Sequence, residues 1–101
     1  MTGRSHPRHD LVDLLLNPVR LSILAALDQT DDIDFYHLQQ QLEVSAPVLS
    51  KANTALEEVG FITIHKTFVG RGGRTWLAIT PAGRVGLSQH MAALHRIAAS
   101  S

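Results

Sequence analysis

Acidic residues vanish from this chain after residue 60, cysteine is missing throughout, and no apolar stretch is long. Each absence excludes something. Without cysteine there is no disulfide and no thiolate ligand for a metal, which fits a reducing compartment. Without a run of roughly 20 apolar residues there is no membrane span. The N-terminal MTGRSHPRHD also lacks the apolar centre of a signal peptide. A cytoplasmic protein with no membrane partner is expected.

What is present is one domain's length, 101 residues, of which 45% are hydrophobic. That supports one modest core. A chain this short buries a smaller share of its surface than a longer one, so a partner subunit would add to it. The formal charge of +0 conceals a division. Residues 1–60 carry Arg4, Arg8, Arg20 and Lys51 against all nine acids, whereas residues 61–101 carry Lys66, Arg71, Arg74, Arg84 and Arg96 against none. So cationic a C-terminal part predicts an anionic partner.

Apolar spacing and caps divide the chain. Leu11, Val12, Leu14, Leu15 and Leu16 predict a short helix over 10–16, stopped by Pro18. Asn17-Pro18 then reads as N-cap and first residue of a second helix, with Val19, Leu21, Ile23, Leu24 and Leu27 on its buried face. DQTDDID reads as an acidic loop whose Asp34 can cap FYHLQQQL, and Ser45 can cap a fourth helix that ends at Gly60. After Gly60, FITIHKTFV and TWLAIT alternate around GRGGR, which predicts a β-hairpin. Thr80-Pro81 repeats the cap-and-proline signal and opens a last helix to about Ala98. The expected fold class is mainly α with a small β-hairpin, in the order helix, helix, helix, helix, hairpin, helix. Residues 1–9 and 99–101 are expected to be tails of one domain spanning 10–98.

A short join between the third and fourth helices suits a helix-turn-helix, and a hairpin directly after it suits a winged one. LNPVRLSIL, VSAPVLSKANTALEEVGFI and KTFVGRGGRTWLAITPAGR resemble short winged-helix transcriptional regulators of the MarR/ArsR type. The resemblance covers roughly residues 11–95. Its most specific part is GRxxRTxxxxTxxGR, which fixes wing, second strand and final helix together. It implies a winged helix-turn-helix that binds a palindromic operator as a homodimer and acts as a repressor. Helix 45–59 would lie in the major groove, and wing 66–74 on the minor groove or phosphates. Asn53 stands where this family usually has an aliphatic residue.

At about 100° per residue, Leu49, Ala52, Asn53, Leu56 and Val59 share one face of the fourth helix, and Pro47, Ser50, Lys51 and Thr54 share the other. The second set is the candidate base-reading surface. Ser and Thr can hydrogen-bond several base edges, and Lys prefers guanine or a phosphate. Lys66, Arg71 and Arg74 are expected to cluster at the hairpin tip, where Gly70, Gly72 and Gly73 leave nothing to hold it off a narrow groove. Arg20 either reaches a phosphate or pairs with Asp13 or Asp10.

In the last helix Leu87, Met91, Leu94 and Ala98 recur at helical spacing. With Leu11, Leu14 and Leu15 they form the expected surface of a two-fold dimer, built by helices 10–16 and 81–98. The alternative is that the last helix simply packs on its own domain. His90 and His95 are turned about 140° from each other on a helix, so no metal or other cofactor is expected. No nucleophile-and-base set can be assembled, so no enzyme is expected either. The partners expected from the resemblance are double-stranded DNA and a second copy. A small-molecule effector would need a cavity between the last helix and the helix-turn-helix. The rival function is a winged-helix module that binds protein through its wing or last helix.

Overall fold

The computed structural model describes residues 5–100; the tail expectations for residues 1–4 and 101 lie outside the described residues. All four caps read from the sequence form. Asn17 Oδ1 accepts the Arg20 N–H and opens α1 (Pro18–Leu27), and Asp34 Oδ1 accepts the His37 N–H and opens α2 (Phe35–Leu42). Ser45 Oγ accepts the Val48 N–H and opens α3 (Ala46–Glu58), and Thr80 Oγ1 accepts the Gly83 N–H and opens α4 (Pro81–Ala99). Each cap satisfies a donor that helix geometry leaves without a partner. Between α2 and α3, Glu43 turns the chain with a left-handed φ of 55°, and Gly60 at φ 79° follows the end of α3.

The hairpin consists of β2 (Ile62–Val69) and β3 (Gly72–Ile79), joined by Gly70 and Arg71 alone. Gly70 has φ 61°, the positive value that a two-residue hairpin link requires. A third strand, β1 (Ile33–Asp34), pairs antiparallel with β3 and places Ile33 opposite Leu77 and Asp34 opposite Trp76. The sheet order is β1-β3-β2. An acidic loop was expected there. One isoleucine among aspartates carries no period, and the strand forms because β3 offers an otherwise unpaired edge.

The N-terminal segment also differs from expectation. Instead of an α-helix over 10–16 there are two 3₁₀ turns, Pro7–Asp10 and Asp13–Leu16, so residues 7–9 are folded instead of forming a tail. Asn17 must be extended before Pro18. The Val12 N–H is drawn sideways onto His90 of α4 instead of into a helix. Further pins hold the segment to α4: Gln89 Nε2 donates to the Asp10 carbonyl, and Arg96 pairs with the Asp10 carboxylate at 2.7 Å.

The core is aliphatic and centred on α1, which touches α2, α3, α4, β3 and the preceding 3₁₀ turn. Leu15, Ile23, Leu24, Leu27, Leu38, Leu49, Leu56, Ile62 and Leu77 are all buried there. α4 crosses the base of the hairpin very closely. A Cβ on Gly83 would lie 2.2 Å from the Phe61 carbonyl oxygen, and one on Gly86 would lie 2.7 Å from the Phe61 ring. At Gly83 a side chain would meet backbone that cannot yield, whereas at Gly86 the Phe61 ring would have to shift, so the glycine of TxxGR is a packing requirement. No helix among the described residues is long and apolar enough to cross a membrane.

Candidate nucleic-acid interface

α3 is the second helix of a helix-turn-helix, and its faces divide nearly as the spacing predicts. Leu49, Ala52, Asn53 and Leu56 are buried, while Pro47, Ser50, Lys51 and Thr54 are exposed. Val59 differs: the helix has ended at Glu58, and Val59 is half exposed. Thr54 Oγ1 donates to the Ser50 carbonyl at 3.0 Å, so that hydroxyl presents lone pairs outward rather than its proton. Glu57 and Glu58 are exposed too, but at the C-terminal end of the helix, a turn past Thr54. Asn53 is 2% exposed, and neither its Oδ1 nor its Nδ2 has a hydrogen-bond partner. Such a group costs about 1–3 kcal/mol where an aliphatic residue would cost nothing.

The hairpin register separates the cations expected to cluster. Lys66 faces Thr75, whereas Thr67 faces Arg74, so Lys66 and Arg74 project from opposite faces of the ribbon. Lys66 shares its face with Phe68 and with the core residues Ile62 and Leu77, further down the ribbon. Arg71 occupies the link itself. Gly72 and Gly73, expected in the turn, belong to β3.

Arg74 is not free. Its Nη1 lies 2.6 Å from Asp34 Oδ2, and the other oxygen of that carboxylate takes the α2 cap and the His37 ring at 2.6 Å. Asp34 is 5% exposed, and burial alone would raise its pKa. The His37 N–H, the His37 imidazole and the Arg74 guanidinium outweigh burial and hold the carboxyl below the usual aspartate value. One buried carboxylate thus ties the hairpin to the helix-turn-helix. A cleft of about 870 Å³ lies beside it, between the first turn of α2 and the hairpin, walled by Asp34, Tyr36, His37, Thr67, Gly73 and Arg74.

Two further C-terminal arginines end on N-terminal acids: Arg84 on Asp28 and Arg96 on Asp10. Much of the charge division in the sequence is therefore internal stitching, and of the C-terminal cations Lys66 and Arg71 remain without an acid among the described residues. Arg20 pairs with neither Asp13 nor Asp10; its Nε donates to the Leu14 carbonyl at 2.6 Å. Among the described residues Arg8, Arg20, Lys51, Lys66 and Arg71 have no acidic partner. The sequence reading missed the Asp34–Arg74 tie. Counting back from a two-residue link would have set Arg74 opposite Thr67 and away from Lys66.

The last helix turns differently from the expected stripe. Leu87 and Leu15 are buried in the chain's own core, Leu14 packs against it, and Leu11 and Leu94 are half-buried. Met91 is exposed, as are Val85 and Leu16. His90 is 1% exposed; its Nδ1 accepts the Val12 N–H at 3.0 Å, and burial pushes its pKa below the ordinary histidine value. Its role here is structural. No group of three His, Asp or Glu among the described residues could hold a metal ion.

This geometry has relatives. The sequence profile of the winged helix DNA-binding domain family matches residues 19–98. A transcriptional regulator homologue from Pyrococcus horikoshii OT3 is similar, at 26% identity over 87% of this chain and 87% of that one, with a TM-score of 0.81. A MarR-family transcriptional regulator from Silicibacter pomeroyi (24% identity, TM-score 0.64) is covered over 61% of its length by 94% of this chain. Bacillus subtilis PadR, solved with operator DNA (16% identity, TM-score 0.67), is covered over 48% of its length by 75% of this chain. The latter two share the fold. No curated protein sequence matches the chain. By profile, element order and sheet topology together, the chain belongs to the winged helix DNA-binding domain family.

Proposed function

We propose that this protein is a cytoplasmic transcriptional regulator that binds a palindromic operator as a homodimer and represses by occupying a promoter. The observation that carries the reading is the outward face of α3. Pro47, Ser50, Lys51 and Thr54 stand exposed on the second helix of a helix-turn-helix, beside a hairpin whose Lys66 and Arg71 lack acid partners. α3 enters the major groove, and the hairpin follows the minor groove and phosphates. Arg74 acts from behind, by fixing the hairpin's angle through Asp34. The PadR structure with operator DNA supports the reading by analogy of fold.

The dimer forms through the outer side of α4, where Val85 and Met91 are exposed; Leu15 and Leu87 serve the core instead. A small-molecule effector would act in the cleft beside the Asp34–Arg74 pair rather than between the last helix and the helix-turn-helix. No catalytic step is part of this reading.

The test is DNA affinity against salt. If each subunit contributes Lys51, Lys66 and Arg71, six phosphates are neutralised per dimer, and log K against log[salt] should slope near −5. A slope near zero on every duplex overturns the reading. Sequencing of DNA selected from a random pool should show a palindrome with half-sites about one helical turn apart. A second reading, a protein-binding module, is favoured by the few polar base-readers on α3 and the inward-turned Thr54 proton. It predicts no enriched sequence.

A further inference from the structure

Phe68 is 79% exposed, more than any other large apolar residue described. The hairpin does nothing to hide it. Its cross-strand neighbour is Gly73, and a Cβ there would lie 3.2 Å from the ring's Cε1. The ring therefore lies over the glycine and leaves the rest of itself in water. Burying such a ring is worth about 1.5–3 kcal/mol, and the fold leaves that unused. Tyr36, the other strongly exposed aromatic, at least makes an edge contact with His37.

The surroundings indicate what meets the ring. Lys66 lies two residues back on the same face, Arg71 sits in the link just beyond, and residues 61–101 hold no acid. An apolar ring between unpaired cations, on a slender glycine-rich ribbon, complements a groove that has phosphate walls and a floor of stacked bases. Proteins that bind the minor groove use apolar side chains as wedges in this way, partly unstacking a base step. We propose that Phe68 is such a wedge: it enters the minor groove of duplex DNA while Lys66 and Arg71 meet the flanking phosphates. The inference rests on the DNA-binding reading above and adds a preference. Flexible pyrimidine–purine steps, TA above all, yield most cheaply to a wedge.

Two short duplexes serve as probes, one of alternating A·T and one of alternating G·C, the first carrying 2-aminopurine at one TA step. Wild-type binding should raise the 2-aminopurine fluorescence as the base unstacks. Phe68→Ala should lose that rise and weaken A·T binding about tenfold, with G·C binding and the salt slope unchanged. Phe68→Leu should keep most of both effects. The proposal is overturned if Phe68→Ala retains the rise and the affinity. Equal weakening on both duplexes with a changed slope overturns it too, since that marks a hairpin displaced as a whole. A dimer that becomes monomeric on Phe68→Ala assigns the ring to a second copy instead. Failure of the wild type to bind either duplex at low salt is a separate outcome; it removes the DNA-binding reading itself.

Discussion

The base and the tip of the hairpin are made from the same two strands and share little else. At the base Ile62 and Leu77 are buried, β1 adds a third strand, and the Thr80 hydroxyl donates to the Gly60 carbonyl at 2.6 Å while capping α4. At the tip Gly70 turns the chain, Phe68 stands in solvent, and Lys66 and Arg71 have no acid. Arg74 marks the boundary, on the β3 side facing Asp34. On the DNA-binding reading proposed above, stability and recognition would occupy separate lengths of one ribbon. Substitutions should sort accordingly.

The largest effect is expected from Gly83→Ala, which drives a methyl group into the Phe61 carbonyl, a backbone atom that cannot swing aside. It should cost about 3 kcal/mol in chemical denaturation. Unchanged stability would mean that the base yields to an added methyl group. Next comes Asp34→Ala, which removes the α2 cap and leaves Arg74 without its partner. A loss of about 2 kcal/mol is expected. If the Arg74 guanidinium positions the ribbon and leaves phosphates to others, Arg74→Met should reduce DNA affinity without altering the salt slope. A slope changed as much as by Arg71→Ala would move the boundary one step toward the base.

A gain is expected from Asn53→Leu: about 1 kcal/mol, since a buried amide without partners gives way to an apolar chain of similar volume. Smaller still is a dependence on pH. His90 is held neutral in the fold and must leave its Nδ1 bare for the Val12 N–H. Its folded pKa lies below the unfolded value near 6.5, so the unfolded chain binds the extra proton. Stability is therefore complete above pH 6.5 and declines as pH falls below it, by at most about 1.4 kcal/mol per unit. His90→Gln should flatten thermal midpoints across that window. At the tip, Lys66→Ala and Arg71→Ala should leave the denaturation midpoint where it is. Each should reduce the salt slope by about two, one contact from each subunit.

Most of the scaffold was legible because its signals are local. Asn17, Asp34, Ser45 and Thr80 announce helix starts within three residues of the donors they satisfy. The alternation around GRGGR announces the hairpin in the same way. What escaped depends on separations that no periodicity records. Ile33 becomes a strand only because Leu77 lies beside it, and Arg74 is drawn off by an aspartate 40 positions earlier. Leu11 to Leu16 look helical by composition, yet a histidine 78 positions away takes the Val12 N–H. For the candidate site, the exposed face of α3 was readable, and the placement of Lys66 and Arg74 on opposite faces of the ribbon was not. That placement follows from strand register, which a single residue in the turn reverses.

Phe61 has a consequence for geometry at a distance. It follows the turn that ends α3, precedes the first residue of β2, and fills the seat made by Gly83 and Gly86 in α4. α3, the hairpin and α4 thus share one pivot. If two copies join through α4, the pair would behave like a caliper: the gap between its jaws, and so the distance between the DNA half-sites it can grip, would be set at that pin.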